Sequence, residues 1–275
     1  MMTMIVKTSK KDQIAKLIIK PKIKRRKMQR EKNNKLLVLA SKQRMNTDTR
    51  RSIFCIVMGS ADCDDAFEKL VRAGMLRSRA ERETVRVLVE CCGQEKSYNP
   101  FYAHLACRMC DFQPKCRFTF QLAYWDSFKQ FEDMKARRAA NLAKLLAHLI
   151  GVGHCLSLTV LKVIDISPED MPEMGVIFLT ILFTALFEMF DSPAEVISLF
   201  GGISRQFGSK SRGGEDDSAG AGDDGDALKE NLSVFFLQYL KSSPKNIKKS
   251  KFRANFKAAV KACETDGLDS MIPMK

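Results

Sequence analysis

The sequence predicts an all-α protein built as a stack of antiparallel helix pairs. Three observations carry that prediction. Apolar residues recur three and four apart from Leu36 to Val260, the period of a helix face. Helix-start residues and glycine stops punctuate the pattern at short intervals. No stretch alternates apolar and polar residues with period two over a useful length, so strands are not expected.

The elements follow in order. Leu36 to Arg44 reads as a leading helix, and Thr47-Asp48 starts a second one whose stripe is Ile53, Phe54, Val57 and Met58, ending at Gly59. Asp62 caps a third helix with Phe67, Leu70 and Val71 facing inward, Asp65 at its third position and Gly74 as its stop. A fourth runs from Arg79 to Cys92 and closes at Gly93.

Asn99-Pro100 is a start signal with a mechanism: the amide oxygen accepts from an orphan N–H, and proline loses a donor that had no partner. The helix it starts carries Phe101, Leu105 and Met109; beyond Pro114 another carries Phe118, Leu122 and Trp125. This pair is expected at the centre of the domain. Asn141–Ile150 is a further amphipathic stripe, followed by Leu156–Ile164, Met174–Phe190 and a helix from Ser192-Pro193 to Arg205.

Residues 208–226, dense in Gly, Ser and acids with no large apolar group, read as a disordered linker. Past it, Leu228, Leu232, Phe235, Phe236, Tyr239 and Leu240 predict a helix that docks back. Phe252, Phe256 and Val260 predict a weaker one, partly free. The expected organisation is a disordered basic arm (1–35), a helical domain (36–205), the linker (206–226), C-terminal helices (227–265) and a disordered tail (266–275).

The net charge of +14 is unevenly distributed. Residues 1–45 hold fifteen Lys or Arg against Asp12 and Glu31, so the basicity belongs to the arm. Its cluster Lys20, Lys22, Lys24, Arg25, Arg26 and Lys27 suits a nuclear address or RNA phosphate contacts, which gain from counterion release without reading sequence. Nine cysteines, an odd number, lie mostly within apolar stripes and read as reduced core thiols. No unbroken apolar run precedes Lys7, so a secretory signal is not expected. The most apolar window, Met174–Phe187, is fourteen residues long, shorter than the roughly 17 that a membrane span requires.

His104, Cys107, Cys110 and Cys116 invite a zinc reading. Cys107 and Cys110 share one helix, however, no second Cys-x-x-Cys follows, and core thiols are the expectation. There is no phosphate loop, Gly-x-Ser-x-Gly or His-Glu-x-x-His motif. The sequence therefore points to a protein without enzymatic activity, cofactor or small-molecule substrate.

The segments RMNTDTRRSIFCIVM (Arg44–Met58), DAFEKL (Asp65–Leu70), QEKSYNPFYAHLA (Gln94–Ala106), FTFQLAYWD (Phe118–Asp126) and LAHLI (Leu146–Ile150) occur in that order. Together they resemble the C-terminal MI (MA-3) domain of the nucleolar MIF-4G domain protein family, across roughly Leu36–Phe190. Only a short basic arm precedes the resemblance, where the family normally carries its MIF-4G domain.

The resemblance implies a HEAT-like or ARM-like superhelix. It also implies a non-enzymatic nucleolar role in the nucleus: binding a DEAD-box RNA helicase of the initiation-factor 4A type during ribosome biogenesis, in processing of small-subunit ribosomal RNA. Pre-ribosomal RNA is a second partner class, and direct RNA binding through the basic N- and C-terminal segments is the alternative function. The family's Ser-x-Asp-x-x-acid-Ala pattern falls on Ser60, Asp62, Asp65, Ala66 and Leu70. Asp62, Asp64 and Asp65, with Glu95 in the turn before Asn99, are therefore the expected helicase contacts, and a capping role is the alternative for Asp62.

Overall fold

The computed structural model describes residues 28, 31, 33–43, 45–166, 171–208, 223–241 and 250–264, and among them every regular element is a helix. The all-α expectation holds. The Lys20–Lys27 run, most of the expected linker and the C-terminal tail lie outside the described residues. Both margins of that linker are helical, since one helix continues to Gly208 and another begins at Asp223.

The chain divides into two compact units, Met1–Ala61 and Asp62–Lys275. In the first, α1 covers 33–42, inside the stretch expected to start as arm, and α2 is Asp48–Gly59. Thr47 caps α2 by accepting from the Arg50 N–H at 3.2 Å. Arg51 holds the turn between the two helices, donating to the Met45 and Asn46 carbonyls and to Asp48. A Cβ at Gly59 would meet Leu36 Cδ1 at 3.3 Å, so glycine allows the two helices to approach there.

The second unit opens with α3 (Cys63–Arg72), capped by Asp62. Its end has the geometry that a glycine stop predicts: Gly74 takes φ +69°, its N–H bonds Val71 O, and the Met75 N–H reaches back to Leu70 O at 2.9 Å. Then come α4 (Ser78–Gln94), α5 (Phe101–Phe112), α6 (Lys115–Phe128), α7 (Ala136–Gly151), a 3-10 turn (Leu158–Val163) and α8 (Glu173–Met189). The unit closes with α9 (Pro193–Gly208), α10 (Asp223–Phe235) running into a π turn (Phe236–Leu240), and α11 (Ser250–Glu264). No described helix is long and apolar enough to cross a membrane.

Asn99 starts α5 as expected, its Oδ1 accepting from the Phe101 N–H at 3.0 Å. The pair α5 and α6 is not the centre, however. That position belongs to α7, which packs on α4, α5 and α8 and buries Leu142, Leu145, Leu146, Leu149 and Ile150. The expected α6 stripe is also out of register. Phe118 is 58% exposed, while Cys116, Phe120, Ala123, Tyr124 and Phe128 are buried. Apolar residues surround α6, so spacing alone offered two faces; Tyr124 Oη, donating to Leu142 O, anchors the buried one, while Trp125 of the expected stripe stays half-buried with Nε1 donating to Val160 O.

Gly93 does not stop α4. It is buried within the helix, and a Cβ there would come to 2.8 Å from the Arg138 guanidinium laid across it. Arg138 also pairs with Glu90 at 2.8 Å. Nor is α11 partly free: it packs on α8, α9 and α10, with Phe252 5.6 Å from Phe187.

One device closes both halves of this unit. Asn141, the sixth residue of α7, is buried and donates Nδ2 to Cys92 O (3.2 Å) and Glu95 O (2.9 Å) at the end of α4. Asn255, the sixth residue of α11, is likewise buried and donates Nδ2 to Phe187 O and Phe190 O, both at 2.9 Å, at the end of α8. In each case a side-chain amide reaches two helix-end carbonyls three residues apart, and Cys92 O also accepts from the Glu95 N–H at 3.3 Å. The capped helices are both 17 residues long, and in each case the capping helix is the third α-helix downstream. The capping contact of α7 on α4 is therefore repeated by α11 on α8.

Asn141→Leu or Asn255→Leu removes two hydrogen bonds to buried helix-end carbonyls and is expected to cost about 2–4 kcal/mol. Asn→Asp at either position, nearly identical in shape but unable to donate, is expected to cost at least as much. Urea denaturation midpoints check both, and a neutral Asn→Asp variant would contradict the donor role.

Candidate partner-binding corner at the start of α3

Helix α3 opens with three aspartates among four residues before its apolar face, Asp62-Cys63-Asp64-Asp65, and its structure follows from them. Asp62 adopts extended backbone and its Oδ1 accepts from the Asp65 N–H at 2.8 Å, satisfying one of the orphan donors of the first turn. Ala66 and Leu70 then fall on the buried face. The acids are left on the opposite side, where the helix dipole favours them.

Asp62 and Asp64 are exposed and Asp65 is half-buried. Each has work within the fold. Asp64 pairs with Arg108 of α5, although its side chain stays 65% exposed, and Asp65 pairs with Lys69 at 2.6 Å one turn on. Arg108 is fixed over the Phe67 ring, 4.7 Å from its centroid, and Phe67 meets Phe112 edge to face at 5.6 Å. The corner is therefore a carboxylate cluster beside an aromatic and guanidinium ledge, with Phe112 half exposed.

Glu95 is placed differently. Its carboxylate accepts from Tyr102 Oη at 2.8 Å and its carbonyl from Asn141, so it is a half-buried anchor between α4, α5 and α7. That contact together with burial pushes the Tyr102 hydroxyl well above its usual range. Ser60 turns its hydroxyl to Ile56 O at 2.6 Å. The basic set from Lys20 to Lys27 lies outside the described residues.

The residues weighed as zinc ligands do not converge. The His104 ring packs edge to face on His148 at 5.1 Å, and Cys116 is buried beside Glu81, where burial and that carboxylate push its thiol up to about 12. Among the described residues no group of three His, Cys, Asp or Glu is placed to hold a metal. Sequence reasoning missed one cluster, Cys107 and Cys110 with Cys155. A helical Cys-x-x-Cys was visible, but its third member arrives from a turn 45 residues downstream of Cys110.

Residues 49–155 match the MA3 domain family. This segment is an MA3 domain. The chain is also 49% identical over 142 residues to the human nucleolar MIF4G domain-containing protein 1, covering 52% of the chain and 16% of that protein. It is 31% identical over 176 residues to suppressor of glycerol defect protein 1 of Schizosaccharomyces pombe, covering 61% of the chain and 22% of that protein. To the pre-mRNA-splicing factor CWC22 of Mycosarcoma maydis it is 28% identical over 134 residues, covering 49% of the chain and 15% of that protein. The chain thus spans between 15% and 22% of the length of these curated relatives. The match of the MA3 domain ends at Cys155, so α8–α11 lie beyond it.

Replacing the cap separates its structural from its electrostatic part. Asp62→Ala is expected to destabilise the second unit by about 1 kcal/mol, and Asp62→Asn, which can still accept from the Asp65 N–H, by much less. Chemical denaturation of the two variants measures the difference.

Proposed function

We propose that this chain is a non-enzymatic nucleolar adaptor whose MA3 domain binds a DEAD-box RNA helicase of the initiation-factor 4A type, in ribosomal RNA processing. The observation that carries this reading is the solvent-facing start of α3, where Asp62 and Asp64 are exposed and Asp65 stands beside them. An RNA helicase presents arginines and lysines to phosphate, and carboxylates held at a helix start can engage the same cations through charge-assisted hydrogen bonds. The relatives named for the nucleolus and for pre-mRNA splicing support a place in RNA processing, and the nucleolar names support that compartment.

Binding by this corner is an exchange of partners. Asp64 releases Arg108, or shares it, as the helicase cation arrives; the half-exposed Arg108 remains stacked on Phe67 and keeps the ledge in shape. Glu95, occupied by Tyr102, is left out of the proposed contact set.

Direct RNA binding remains the second reading, favoured by the exposed Lys257 of α11 and by the basic composition of residues 1–45. It predicts RNA affinity that falls steeply with salt.

The test uses the full chain and a purified 4A-type helicase. Asp62→Asn with Asp64→Asn removes two charges while leaving the α3 cap in place. Helicase capture is expected to fall about tenfold, as for loss of charge-assisted contacts, with an unchanged denaturation midpoint. Unchanged capture by the folded double variant would remove the corner from the account. RNA affinity that tracks salt and the basic ends, with no helicase capture, would favour the second reading.

A further inference from the structure

Three cysteines from two distant stretches meet beside the end of α7. Cys107 and Cys110 lie one turn apart on α5, Cys107 partly exposed and Cys110 fully buried. Cys155 comes from the turn after α7, anchored by its N–H to Leu149 O at 2.8 Å. That turn is unusual backbone. His154 takes φ +46°, left-handed space that a histidine rarely adopts.

Gly153 makes the meeting possible. A Cβ there would overlap Cys107 Sγ and lie 3.2 Å from Cys155 Sγ, so both sulfurs border the space its missing side chain leaves. The Cys155 thiol donates to Gly153 O at 3.2 Å, which holds its sulfur against that gap. The neighbouring Cys107 and Cys110 thiols, and after them the charges of Arg117 and His148, draw the Cys155 thiol below its usual range against the opposing effect of burial. Core packing alone does not call for a glycine between two sulfurs.

We propose that Cys107 and Cys155 are a peroxide-responsive thiol pair, closing reversibly into a disulfide that ties α5 to the turn after α7. The Cys155 thiolate attacks one oxygen of hydrogen peroxide and the O–O bond breaks, leaving a sulfenic acid on Cys155 and releasing hydroxide, which takes up a proton to become water. The Cys107 sulfur then attacks the sulfenic sulfur, the S–O bond breaks and a second water leaves with the Cys107 proton. Two thiols lose two electrons and one peroxide becomes two waters. Cys107 is the partner because it reaches the surface and shares the Gly153 gap with Cys155, while Cys110 lies fully inside. A dithiol reductant reverses the bond.

The test is peroxide treatment of the reduced full chain, followed by N-ethylmaleimide blocking, non-reducing digestion and mass spectrometry. The Cys107–Cys155 cross-linked peptide is expected to rise about tenfold over the untreated sample and to disappear with dithiothreitol. Cys107→Ala and Cys155→Ala should each abolish it, and Cys116→Ala should leave it in place, with circular dichroism confirming that each variant is folded. If one variant does not fold, the other still decides. Cys155 recovered wholly as the maleimide adduct, joined to Cys110, or oxidised to sulfinic acid without a cross-link overturns the proposal.

Discussion

The architecture of the second unit depends on how a helix ends inside a protein. A helix leaves its last carbonyls without intrahelical partners, and when a following helix crosses that end water cannot reach them. Here the crossing helix supplies the donor itself. Asn141 reaches the end of α4 and Asn255 the end of α8, each with one amide nitrogen shared between two carbonyls. A leucine would pack as well and remove the bonds to those carbonyls; a lysine would reach them only by burying a charge. The amide is the neutral donor that meets both demands.

This fixes more than two helix ends. Because α7 is tied to the last turn of α4, the loop from Glu95 to Pro100 has a set path, and Asn99 starts α5 from a defined point. Helix α5 in turn packs on α3 and carries Arg108 to Asp64. The acidic corner is thus positioned by a chain of local hydrogen bonds that begins in the core. Its carboxylates stay at the surface because their neighbours are cations already in place, which makes exchange with another cation a small rearrangement.

Much of this was legible in the sequence, because caps are local. Thr47, Asp62, Gly74 and Asn99 each act on backbone groups within five residues, and each does what its residue type predicts. What escaped the sequence acts across distance. Asn141 read as the polar start of an apolar stripe, since its acceptors lie 46 and 49 residues earlier. Gly93 read as a stop because the side chain that needs its space, Arg138, comes from another helix. Helix α6 carried two plausible faces, and the one that is buried is anchored by a tertiary hydrogen bond from Tyr124 to Leu142. The acidic corner was visible as residues, but not the engagement of Asp64 by Arg108 or that of Glu95 by Tyr102.

The central claim, that the start of α3 is where a helicase docks, is tested most directly by hydrogen–deuterium exchange on the full chain with and without a 4A-type helicase. The account predicts slowed exchange centred on the amides of 62–69, with α7 and α11 unchanged. Exchange at those amides that is the same with and without helicase, while protection appears elsewhere in the chain, would contradict it.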